Sequence, residues 1–93
     1  QIKPRETDEW IDAPYIHNTC IVNVGDLLQR WTNDIYVSTP HRVVNKHLNI
    51  SRYSFPYFVH PRDDVQVDSL VGNQKYETIG AKEYLVWRLN QSY

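Results

Sequence analysis

The chain has 93 residues, of which 41% are hydrophobic, 23% charged and 13% aromatic, and its ten basic and eleven acidic side chains nearly cancel. At this length folding hides only about 60–65% of the surface an unfolded chain exposes, so a thin core is expected. Balanced charge gives no electrostatic case for a nucleic-acid or anionic-membrane partner, and no apolar run approaches the roughly 20 residues of a membrane span.

Residues 1–5 and 10–13 read as a short hairpin around the polar turn 6–9. Residues 19–24, β-branched and apolar, predict a strand buried on both faces, which Gly25 and Asp26 stop. Asp26 followed three residues on by Gln29 resembles a capping box and predicts one helical turn over 27–31, with turn chemistry at Thr32-Asn33-Asp34. Two longer strands are expected over 36–45 and 51–60, joined by the polar loop 46–50. A turn at 61–64 and a short edge strand over 65–70 follow. From Ile79 onward Ala81, Leu85 and Leu89 recur at helical spacing, flanked by Tyr84 and Trp87, and Thr78 or Gly80 can begin that helix. Short strands ending in one helix predict a mainly β domain, an antiparallel sandwich or barrel, with no linker to divide it.

On the expected strand 36–45 side chains alternate, so Val37, Thr39, His41 and Val43 share one face. That places an imidazole among small and apolar neighbours, where a metal-ligating histidine is usually held; periodicity alone favours a core histidine bonded to backbone. On the next strand Arg52 and Ser54 project from one face, and Tyr53, Phe55 and Tyr57 from the other, where packing in a sheet is expected. A guanidinium grips a carboxylate bidentately and a nearby hydroxyl adds a donor, so the pair is a candidate clamp for a small acid. A surface arginine with an unrelated serine fits the same three residues. Arg42 is expected in a structural ion pair. His60 with Asp63 and Asp64 reads as a solvated acidic turn, and His17 and His47 have no partner spacing.

The order Gly25-Asp26-Leu27-Leu28-Gln29-Arg30-Trp31-Thr32-Asn33-Asp34, then Ser38-Thr39-Pro40-His41-Arg42-Val43, then Arg52-Tyr53-Ser54-Phe55-Pro56-Tyr57-Phe58 resembles the C-terminal half of the isopenicillin-N-synthase-like iron(II)/2-oxoglutarate oxygenases, over nearly the whole chain. The resemblance implies part of a double-stranded β-helix, or jelly roll, with a C-terminal α-helix. It implies that His41 matches the second histidine of an iron-binding facial triad, and that Arg52 and Ser54 match the pair that binds the remote carboxylate of 2-oxoglutarate. Fe(II) and 2-oxoglutarate are then the cofactors of the complete enzyme, and its partner is a small organic substrate.

One departure matters. The family's His-x-Asp motif is missing, because His17, His47 and His60 are followed at the second position by Thr19, Asn49 and Arg62. No methionine occurs either, so residues 1–93 are expected to be a C-terminal fragment of one oxygenase domain, inactive and iron-free by themselves. An uncovered half-barrel is expected to associate with a second copy. The single Cys20 leaves no internal disulfide and fits a cytoplasmic location. The competing reading is a catalytically silent β-sandwich that binds a ligand or partner.

Overall fold

Helix forms where the sequence carries local helical signals, and the computed structural model, which describes residues 1–92, has two helices: α1, Asp26–Trp31, and α2, Ala81–Ser92. Between them lie two antiparallel strands, β1 (Gln66–Val67) and β2 (Ile79–Gly80), with Gln66 opposite Gly80 and Val67 opposite Ile79. A second paired corner is one bridge wide on each side: Ile2 pairs with Ile11 and, on its other side, with His41. The hairpin expected at the start of the chain is present, closed by reciprocal Ile2–Ile11 backbone bonds of 2.9 Å.

The two helices start differently from each other. At α1 the expected capping box does not form: Gly25 is the N-cap and bonds no side chain, and Asp26 instead pairs with Arg88 of α2 at 2.9 Å. At α2, Gly80 precedes the first helical residue and its N–H reaches Glu83 Oε2 at 3.4 Å, half of a capping box.

The mainly β expectation is not met. Residues 19–24, 36–45 and 51–60 run without ladders, apart from the single bridge at His41. A strand exists only where a neighbour accepts and donates its backbone bonds, and no other segment among the described residues pairs with these three. Their side chains are accordingly uncovered: Tyr53 is 80% exposed and Phe55 92%, where a packed sheet face was expected. The accessible surface is 8230 Å², against about 5,700 Å² for a closed globule of this mass. The radius of gyration is 15.9 Å, against about 12 Å for a compact domain of this length.

What core there is sits where α1, β1, β2 and α2 meet. Val67, Ala81 and Tyr84 are buried there, as are the polar Thr32 and Asn33. Leu85 and Leu89, which mark the helical period in the sequence, stay partly exposed.

Asn33 ends α1. It adopts a left-handed φ of 52°, and its N–H bonds Arg30 O at 3.2 Å while Asp34 N–H bonds Gln29 O at 2.9 Å, the paired geometry of a Schellman cap. The Asn33 amide then spans to the loop before β2. Nδ2 donates to Val71 O at 2.7 Å and to Asn73 O, and Oδ1 accepts from the Lys75 N–H at 3.2 Å. Beside it the Tyr76 hydroxyl donates to Asp34 Oδ1 at 2.6 Å, and Gln29 Nε2 reaches the same oxygen at 3.2 Å.

Replacing Asn33 by alanine removes these partners and puts a Cβ-bearing residue with no local side-chain bond into the left-handed region. Asn33→Ala is expected to lower stability by about 2–4 kcal/mol in urea denaturation followed by circular dichroism. Asn18→Gly, at an exposed left-handed position (φ 57°), should change it by less than about 0.5 kcal/mol.

Acid should open the same junction. The Tyr76 phenol, helped by Gln29 and Lys75, holds the Asp34 carboxyl below its usual range, and Asp34 in turn raises the Tyr76 phenol. A depressed carboxyl contributes stability above the ordinary aspartate range and loses it as pH falls through the folded-state value. A raised phenol contributes below the ordinary tyrosine range and loses it as pH rises through its own. Tyr76→Phe should therefore flatten the acid limb of a plot of unfolding midpoint against pH; an unchanged slope would remove the bond as its source.

Candidate functional site

His41 lies on the paired corner. Residues 40–42 run antiparallel to residues 1–3: Lys3 N–H bonds Pro40 O and Arg42 N–H bonds Gln1 O, both at 2.9 Å. Pro40 has no N–H to lose at this edge and takes part through its carbonyl alone. The β-branched Ile2 and Ile11 suit the pleat that carries the bridges.

The ring of His41 is exposed, and its Nδ1 sits 3.0 Å from the Thr39 carbonyl oxygen. A carbonyl can only accept, so this contact is a hydrogen bond in the tautomer with the proton on Nδ1, which leaves the lone pair on Nε2. Nε2 has no hydrogen-bond partner among the described residues. A backbone carbonyl on one ring nitrogen and an open lone pair on the other is the arrangement of a metal-binding imidazole.

Next to this edge is an open apolar cavity of about 460 Å³, lined by Ile2, Pro14, Ile21, Val24, Val37 and Thr39 among others. Val37 and Thr39 stand four and two residues before His41, the spacing that shares one face of an extended chain. The segment 19–24, expected to be buried on both faces, supplies part of this lining and leaves Val22 exposed.

The donor set is that of one ligand. No three histidine, cysteine, aspartate or glutamate side chains gather into a metal-binding group among the described residues. His60 Nδ1 lies 2.8 Å from Pro61 O, and His17 Nδ1 lies 3.4 Å from the Tyr15 hydroxyl. One imidazole, that of His41, is the only candidate ligand assigned among the described residues.

Arg52 and Ser54 lie on the exposed, unpaired stretch 51–60. Neither forms a hydrogen bond or ion pair with any other described residue, and no such bond links them to His41. Both residues are exposed.

Arg42 departs from expectation. Instead of pairing with a carboxylate, its guanidinium lies 4.1 Å from the centre of the Trp10 ring, and its Nε donates to Gln1 Oε1 at 2.9 Å. Lys3 Nζ lies 6.0 Å from the same ring. Gln1 Nε2 continues to Asp12 Oδ1 at 3.0 Å, and Lys46 Nζ meets Asp12 Oδ2 at 2.8 Å. The Lys46 and Gln1 bonds hold the Asp12 carboxyl below its usual range. No local pattern in the sequence announces this lattice, because Trp10 and Arg42 lie 32 positions apart and only the folded hairpin brings them together.

The model of the 2OG-Fe(II) oxygenase superfamily matches residues 1–61, a span that includes His41, Arg52 and Ser54. Among curated proteins, a homoarginine 6-hydroxylase of Oryza sativa subsp. japonica is 37% identical over 93 residues, covering 90% of this chain and 27% of its own. A 2-oxoglutarate-dependent dioxygenase of Penicillium crustosum is 43% identical over 54 residues, 58% of this chain and 16% of its own. A 1-aminocyclopropane-1-carboxylate oxidase of Dictyostelium discoideum is 41% identical over 61 residues, 66% of this chain and 17% of its own. The chain thus spans about a sixth to a quarter of the length of these relatives. No solved structure matches it.

The ring geometry of His41 makes a direct prediction. In a ¹⁵N-detected NMR spectrum of the neutral ring, His41 should appear as the Nδ1–H tautomer, with Nε2 unprotonated. A dominant Nε2–H signal would show that the Thr39 bond is not what orients the ring.

Proposed function

Because the chain belongs to the 2OG-Fe(II) oxygenase superfamily, we propose that it forms the part of a non-haem iron oxygenase that supplies one iron ligand and the grip on the cosubstrate. His41 is the ligand, through Nε2. Arg52 and Ser54 bind the remote carboxylate of 2-oxoglutarate. The observation that carries this reading is the 3.0 Å contact of His41 Nδ1 with the Thr39 carbonyl, which presets the tautomer a ligand needs.

The relatives are four to six times longer than their matched parts, and on this reading the remaining ligands and strands come from sequence outside residues 1–93. Strands pairing with residues 19–24, 36–45 and 51–60 would turn three unladdered segments into part of a double-stranded β-helix and cover the apolar cavity. Residues 1–93 by themselves then bind no iron usefully and do not turn over. Kept apart from those strands, they associate with a second copy through the uncovered edges.

With iron(II) and 2-oxoglutarate bound, dioxygen would be the oxidant: 2-oxoglutarate would give up two electrons in becoming succinate and carbon dioxide, and the small organic substrate would give up the other two. The protein side chains position. The Arg52 fork fixes both oxygens of the remote carboxylate, and the Ser54 hydroxyl adds a donor to the same group. The apolar lining of Ile2, Ile21, Val24 and Val37 beside His41 keeps water away from the reacting face once the cavity is closed.

A second reading has support in the relatives' names, since some are called oxidases and others 2-oxoglutarate-dependent dioxygenases. There the Arg52–Ser54 pair holds a carboxylate of the substrate itself. Oxygen uptake by the full-length protein, measured with and without 2-oxoglutarate, separates the two.

In the full-length protein Arg52→Ala should raise the KM for 2-oxoglutarate by about 10–100-fold, the equivalent of about 1.5–3 kcal/mol for bonds to a charged group. An unchanged requirement for 2-oxoglutarate would remove Arg52 from the clamp.

A further inference from the structure

We infer that Trp10 and Arg42 are positioning residues for His41: the stack of guanidinium on indole sets the backbone from which the imidazole projects. This rests on the reading of His41 as a metal ligand and goes beyond it, because neither Trp10 nor Arg42 carries a ligand atom.

Among the described residues His41 is held by one bridge, to Ile2. A metal ligand has to keep its place to within about 0.5 Å, so whatever fixes its strand bears on the site. The ring torsion is fixed by Thr39 O. The backbone is fixed one residue later, at Arg42.

Arg42 is held in four ways. Its N–H donates to Gln1 O and its carbonyl accepts from Gln1 N, each at 2.9 Å. Its Nε donates to Gln1 Oε1 at 2.9 Å, and its guanidinium carbon lies 4.1 Å from the Trp10 ring centre. That separation is well inside the range of a cation–π contact, and the planar group suits stacking as lysine does not. Successive side chains of an extended chain point to opposite faces, so an anchor on Arg42 holds one face while His41 is free to serve the other. Trp10 itself is pinned by the hairpin through the Ile2–Ile11 bridge next to it in sequence.

The test uses the full-length protein with cobalt(II) as probe metal, read by its ligand-field absorption and by its dissociation constant, with unfolding temperature measured in parallel. Arg42→Gln and Trp10→Leu are each expected to weaken cobalt binding about tenfold or more and to shift the ligand-field bands, as loss of an outer support does at metal sites. Trp10→Phe keeps a ring beneath the guanidinium and should retain the wild-type bands. Arg42→Lys, which keeps the charge but loses the planar stack and the Nε donor, should shift them, and it gives the readout if Trp10→Leu does not fold. Bands and affinity identical to wild type in Arg42→Gln and Arg42→Lys, even with a lowered unfolding temperature, would overturn the inference and leave a purely structural stack. His41→Ala is the separate arm: cobalt binding untouched by it would refute the ligand assignment itself, whatever the Arg42 variants do.

Discussion

Backbone groups in an extended chain need partners, and that need governs this molecule. A helix satisfies its N–H and C=O groups within itself, so α1 and α2 form from local sequence. A strand depends on a neighbour, and in residues 1–92 only two places provide one: the corner at Ile2, and the β1–β2 pair. Elsewhere among the described residues the extended segments have no ladder partner and keep their apolar side chains exposed. The accessible surface of 8230 Å² follows directly from this shortage of partners.

Polar side chains do the joining that sheets do not. At one end Asn33 caps α1 and clasps the loop before β2, with Asp34, Tyr76 and Gln29 closing the same junction. Arg30 donates to Glu77 O at 2.6 Å and lies 5.1 Å from the Tyr76 ring centre and 5.8 Å from that of Tyr84, while Arg88 reaches back to Asp26. At the other end Trp10, Arg42, Gln1, Asp12 and Lys46 form a chain of contacts around the Ile2 corner. The two clusters share a logic: each crosslinks segments about 30–60 residues apart with directional bonds, where an ordinary domain would use buried apolar area. His41 stands next in sequence to Arg42 of the second cluster, and its ring bonds the Thr39 carbonyl.

The candidate site was legible to the extent that spacing carries it. His41 in its Thr-Pro-His-Arg setting, and Arg52 two residues before Ser54, can be picked out from the linear sequence, and the family model covers all three. What each bonds to could not be read in that way. The carbonyl that fixes the His41 tautomer belongs to Thr39 and is a matter of backbone conformation. The partner of Arg42 proved to be an indole, because the hairpin, and not charge complementarity, determines what faces it. The expected sheet face of Tyr53, Phe55 and Tyr57 failed for the opposite reason: alternation assigns side chains to faces, but a face is buried only when another layer covers it.

The sequence by itself determined the features whose energetics are local. These are the opening hairpin, one helical turn over 27–31, the turn chemistry at 32–34 and the terminal helix. Tertiary structure alone decided which extended segments become strands, that Asp26 would pair with Arg88 and not cap its own helix, and that Asn33 would bind a loop some 40 residues away. The division has a single cause. Helix and turn preferences are settled between residues a few positions apart, whereas strand pairing and long-range polar bonds depend on which distant segment arrives alongside.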